Sequence, residues 1–84
     1  MKIKILKNKE SKEFETWSIW SCENSEFDWT YADEEHCFII EGKIVISYEN
    51  QKVEICPGDY VIFPKGLKCY WKVLETVKKY YTFK

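Results

Sequence analysis

The side chains able to do chemistry here are few. One histidine, His36, stands with four cysteines, Cys22, Cys37, Cys56 and Cys69, and with an acidic run that holds Glu35. The cysteines are widely spaced and form no C-x-x-C pair, which with a single histidine argues against a structural zinc site. In a strand, residues two apart share a face, so Glu35 places Cys37 on its own side and sends His36 to the other. By the same rule Cys69 and Trp71 point together. Cys69 reads as a nucleophile, a soft ligand or a packed thiol, and nucleophilic use needs a nearby base or positive charge to lower its pKa. His36 points away by parity, so no Cys-His pair is expected. Lys68 and Lys79 are the lysines that could stand in, with parity putting Lys68 outside. Gly42, Gly58, Pro64 and Gly66 are turn formers, and none belongs to a phosphate-binding loop.

The elements that position these groups read as strands. No long stretch keeps the three-and-four apolar spacing of a helix, whereas several short ones alternate with period two. Ile3 and Ile5 alternate with lysines; Phe27, Trp29 and Tyr31 share a face; Ile44, Ile46 and Tyr48 share another before the polar break at Glu49, expected to turn a hairpin into Val53 and Ile55. Pro57-Gly58 and Pro64-Lys-Gly66 bracket the apolar strand Tyr60 to Phe63. Cys69, Trp71 and Val73 line one face, and Tyr81 and Phe83 begin a last strand. Eight or so short strands at intervals of about ten residues predict an all-β sandwich or barrel. Asn8 to Glu15 is polar and reads as a loop or one frayed turn of helix. The apolar run Cys37 to Ile40 fits a strand covered on both faces, by the barrel interior and by a dimer partner or second sheet.

At 84 residues the chain has room for one domain, expected over 1–84. Its aromatic content, 18%, must supply much of the packing energy. So short a chain covers leftover apolar surface by pairing, so a homodimer is expected. Charges interrupt the apolar residues of the N-terminus, so no signal peptide or membrane span is expected, and the expected location is the cytoplasm with reduced thiols. Net charge is −1, which gives no overall pull toward nucleic acid. From Glu23 to Glu41 there are acids and no lysine, while lysines crowd the last twenty residues. Two solvated strands that neutralise each other account for that asymmetry more simply than an anion site.

Two segments resemble the paired boxes of the cupins. Glu35-His-Cys-Phe-Ile-Ile-Glu-Gly42 is similar to the first box, an inward glutamate followed by the glycine of a Glu-Gly turn. Gly58-Asp-Tyr-Val-Ile-Phe-Pro64-Lys-Gly66-Leu-Lys-Cys69 is similar to the second, which ends on a ligand position. Within the cupins, the chain from Trp20 to Phe83 resembles the small single-domain proteins grouped with ureidoglycine aminohydrolase. The resemblance implies an all-β, single-domain cupin jelly-roll β-barrel, frequent dimerisation, and an interior pocket that in many relatives holds a divalent metal and a small molecule. The sequence departs from that pattern at the ligands: the usual H-x-H pair falls on Trp29 and Tyr31, and the second-box histidine on Cys69, leaving Glu35 alone.

If the family register holds, the barrel mouth gathers Trp29, Tyr31, Glu35, Cys37, Cys69 and Trp71, an apolar cup with few polar groups, as small-ligand sites have. Glu35 in such a cup is expected to have a pKa raised by desolvation, suited to a general acid or base. The other reading is a glutamate that organises the core through hydrogen bonds. The functional expectation is a small-molecule-binding cupin, in its sharper form a metal-independent enzyme, with Glu35, Tyr31 and Cys69 catalytic, Trp29, Cys37 and Trp71 contacting ligand, and no cofactor. Two alternatives stay open: a non-catalytic interaction or sensing domain, and a metal-dependent hydrolase like ureidoglycine aminohydrolase with Glu35, Cys69 and a phenolate as ligands. Trp17 and Trp20 read as edge or interface packing, and His36 as solvated or at a dimer contact.

Overall fold

The computed structural model describes residues 2–7 and 12–84. They form seven antiparallel strands: β1 (Lys4–Lys7), β2 (Ser18–Cys22), β3 (Ser25–Thr30), β4 (Glu35–Tyr48), β5 (Gln51–Ile55), β6 (Asp59–Phe63) and β7 (Lys68–Phe83). The long strands β4 and β7 pair with each other and make the spine. The first half of β4 carries β6, which carries β1; the second half of β7 carries β2. The remaining halves carry β5 and β3. Apolar residues of both halves, among them Ile39, Val61 and Val77 from one and Ile44, Ile46 and Val73 from the other, meet in a single core. The all-β expectation holds, with seven strands in place of about eight.

Two expected breaks run through as strand, the Glu41-Gly42 turn within β4 and the interval from Trp71 to Tyr81 within β7. Lys72 and Glu75 sit exposed on β7 while Trp71, Val73 and Val77 stay buried, so the strand runs on unbroken. Register shifts interrupt its pairing with β4 between Ile39 and Ile44. Gly42 sits in that irregular stretch with φ +99°, and a Cβ there would lie 2.5 Å from the Thr76 carbonyl oxygen. Only glycine fits so close a backbone approach at that φ. The irregularity also changes phase: Glu35, Cys37 and Ile39 are buried before it, Ile44, Ile46 and Tyr48 after it. Beyond Tyr48, Glu49 and Asn50 take φ values of 46° and 63°, the two left-handed residues of a tight hairpin, as the polar break predicts.

On the outer side of the run Cys37 to Ile40, where the sequence suggests a dimer partner or second sheet, a 3-10 helix, Lys12–Thr16, meets Phe38. The helix lays Phe14 on Phe38 with ring centroids 4.7 Å apart, and Phe14 also packs against Trp17 and Tyr60. The polar stretch Asn8 to Glu15 thus yields a helical turn in its latter part; residues 8–11 lie outside the described residues. No helix among the described residues is long and apolar enough to cross a membrane.

Candidate functional site

β7 runs between β4 and β2, so Lys79 has Ile39 opposite on one side and Trp20 opposite on the other. Its side chain turns inward and its Nζ donates to Glu35 Oε2 at 2.8 Å, both residues buried. The ammonium lies 4.9 Å from the ring centroid of Trp20, 4.8 Å from that of Trp71 and 5.9 Å from that of Tyr81. Each such ring contributes roughly 0.5–2 kcal/mol of attraction to a cation. With the carboxylate on one side and aromatic faces around it, the lysine recovers part of what leaving water costs.

This pair lies at the base of a cavity of about 260 Å³. Trp20, Phe27, Trp71 and Tyr81 wall it, Tyr31 closes it beside Glu35, and Trp29 and Phe83, each about half exposed, form its rim. Tyr31 is held from both backbone atoms: its N–H donates to the Leu67 carbonyl at 2.9 Å, and its carbonyl accepts from the Gly66 N–H at 2.7 Å. Its ring stacks on Phe63 at 4.8 Å. Burial, and then the negative charge of Glu35, push the Tyr31 phenol well above the ordinary range, so it stays protonated. Trp71 stacks on Phe27 at 5.8 Å, and its buried indole N–H makes no well-aligned hydrogen bond among the described residues.

Of the six residues expected at the mouth, Trp29, Tyr31, Glu35 and Trp71 line the cavity and Cys37 and Cys69 do not. Cys37 is directly opposite Tyr81, and its short side chain is fully buried beneath the longer ones of β7. Burial pushes its thiol up to about 12. Cys69 pairs with Trp29, turns its Sγ toward the Trp29 carbonyl oxygen at 3.6 Å, and lines a separate depression with Asp28, Thr30 and Ser47. Burial pushes its thiol up to about 11, against a smaller opposing effect of the Trp71 indole. A raised thiol pKa works against the thiolate that a nucleophile needs. The cup's second charged group is the Lys79 amine, which the sequence offers only as a possible partner for Cys69 and which here pairs with Glu35.

Lys79, Trp20 and Tyr81 are the cavity residues hardest to read from sequence. Continuing the alternation Cys69, Trp71, Val73 past exposed Glu75 reaches Val77, Lys79 and Tyr81, which is the signal that puts the lysine inside. Trp20 follows as its cross-strand neighbour; it is a wall of the cavity, not edge packing. Trp17 packs with Phe14 and Tyr60. His36 does face outward, where its Nδ1 meets the Tyr60 hydroxyl and its Nε2 the Glu34 carboxylate, each at 2.7 Å. It is not freely solvated, its side chain being only 12% exposed.

The cup does not suit a divalent metal. Among the described residues no three His, Cys, Asp or Glu side chains converge. The ammonium of Lys79 already sits on Glu35, Tyr31 is held as a phenol, and Cys69 points elsewhere. A metal needs deprotonated donors, and burial works against losing the proton at the Tyr31 phenol and the Cys69 thiol.

A jelly roll built on two boxes, with a cavity lined by β2, β3, β7 and the start of β4, defines a cupin. The chain belongs to the EutQ-like cupin domain family, whose model matches residues 9–81. It is similar to a DUF861 family protein from Thermotoga maritima, with 46% identity over 99% of this chain and 100% of that one, and a TM-score of 0.90. The Clostridium difficile EutQ protein shares 27% identity over 77% of this chain and 52% of its own, with a TM-score of 0.69. A putative ethanolamine utilization protein Q from Salmonella typhimurium, at 22% identity and a TM-score of 0.65 over 94% of this chain and 64% of that one, shares the fold. No curated protein matches the chain.

Proposed function

We propose that this cupin binds a small organic molecule in its aromatic cup and works without a metal, with Glu35 as the acid or base and Lys79 as a fixed cation beside it. The observation that carries the reading is the buried Glu35–Lys79 pair at the base of an open cavity of about 260 Å³. Ligand sites are typically apolar clefts with a few placed polar groups, and this one has aromatic walls with one acid and one base. Tyr31, held as a phenol next to Glu35, supplies a further donor. Cys69 and Cys37 have no part in this reading. In the same reading the protein is a cytoplasmic homodimer.

The finer likeness to the ureidoglycine aminohydrolase group enters as fold alone, because the donors of its metal-dependent hydrolysis are replaced here by Trp29, Tyr31 and Cys69. A sealed interaction domain is the weaker reading, since a cup filled by its own side chains would leave no such cavity. The test is a fragment screen followed by ¹H–¹⁵N NMR on protein dialysed against EDTA. Some fragments should shift the indole signals of Trp20 and Trp71, and Glu35→Gln should weaken their binding. If no fragment moves those signals, the reading is wrong.

A further inference from the structure

Resting on that small-molecule reading, we infer that the cup selects an uncharged planar ligand with a hydrogen-bond donor and acceptor side by side, such as a cyclic amide or neutral nitrogen heterocycle. Three observations carry this.

The first is charge. Among the described residues lining the cavity, Glu35 and Lys79 are the only acid and the only lysine, and each neutralises the other at 2.8 Å. An anion or cation entering would stay uncompensated among aromatic walls, where leaving water costs most. An anion drawn to Lys79 would also lie beside the Glu35 carboxylate.

The second is that the three rings at the base of the cup, beside its polar pair, already hold a cation. Trp20, Trp71 and Tyr81 surround the Lys79 ammonium at 4.9, 4.8 and 5.9 Å. The aromatic box is self-occupied, which distinguishes it from the open boxes that take ligand cations.

The third is hydrogen-bonding capacity. Of the three N–H groups of Lys79, one goes to Glu35 Oε2, and among the described side chains Glu35 accepts no other hydrogen bond. The pair therefore offers a donor and an acceptor next to each other. The C=O and N–H of a cyclic amide meet both at once, and its flat ring stacks on the Phe27 and Trp71 side of the cup.

The experiment compares four single-ring probes by NMR titration of the parent protein at pH 7: 2-pyridone, benzoate, benzylammonium and benzene. 2-Pyridone should bind about tenfold or more tightly than each of the others. Glu35→Gln, which keeps the shape and leaves Lys79 unpaired, should raise benzoate above 2-pyridone. Benzoate or benzylammonium binding the parent as well as 2-pyridone overturns the inference while leaving a working cup. Benzene binding equally well overturns it too, since the polar edge would be idle. If none of the four binds, the small-molecule reading falls with it.

Discussion

Lys79 Nζ and Glu35 Oε2 are 2.8 Å apart inside a ring of Trp20, Trp71 and Tyr81, so the cup carries its own counterion. Removing one member leaves a buried charge without a partner. Lys79→Met is therefore expected to lower stability by about 3 kcal/mol. The double variant Glu35→Leu with Lys79→Met should recover most of that loss, because a buried pair replaced by apolar groups of similar volume is often neutral. Urea denaturation of the three proteins checks this; a double variant less stable than the single one would show that the pair itself stabilises the fold.

Gly42 carries a different constraint. Its φ is positive and the Thr76 carbonyl oxygen is 2.5 Å from where a Cβ would sit, so Gly42→Ala has no relaxed conformation. The expected cost is at least about 2 kcal/mol, read as a lowered urea midpoint. Gly58 also has positive φ, at 92°, but open space around it, so Gly58→Ala should cost less. Equal losses at the two glycines would mean that the close approach at Gly42 is not what matters.

Alkaline pH should destabilise the protein through its buried thiols. Burial raises Cys37 from 9.0 to about 12 and Cys69 from 9.0 to about 11, so the folded chain holds these protons after the unfolded chain has lost them. Stability from this source is complete below about pH 9 and falls as pH rises toward 11 and beyond. Cys37→Ala should flatten the decline in urea midpoint between pH 8 and pH 10.5; an unchanged slope would assign the decline to other groups.

The strands and the two boxes were legible because they rest on period-two alternation and on turn residues, both local signals. Glu35, Tyr31, Trp29 and Trp71 followed once register was taken from the boxes. Lys79 was harder to read as a site residue: the alternation of β7 puts it inside, but a lysine in a basic segment reads as solvated, and its partner Glu35 is 44 residues away. The exclusion of Cys37 and Cys69 from the cavity depends on the size of their neighbours, Tyr81 and Trp29, which parity does not convey.

The outer cluster offers a stability test apart from the cup. Phe14 is buried and stacked on Phe38, and Phe14→Ala should cost about 3 kcal/mol. If the cup is independent of this cover, the variant should still bind cup ligands while it remains folded. Loss of binding by a folded variant would show that the 3-10 helix also supports β4 from behind.

Sedimentation equilibrium tests the proposed homodimer. The expected mass is about twice the 10.2 kDa of one chain. Exposed Leu6, Ile19 and Leu74 are large apolar groups away from the cup that such pairing would have to cover. A species of single-chain mass at millimolar concentration would sink it.

The irregular stretch around Gly42 also governs which changes of length the chain tolerates. Deleting one residue between Ile39 and Ile44 would turn Ile44, Ile46 and Tyr48 toward water and bring Lys43, Val45 and Ser47 against the core. Insertions and deletions in β4 are therefore confined to the hairpin at Glu49–Asn50, where the pairing of β4 with β5 can lengthen or shorten without inverting either face. The distance in sequence from Glu35 to the second half of the barrel is held by this stretch as firmly as any side chain in the cup.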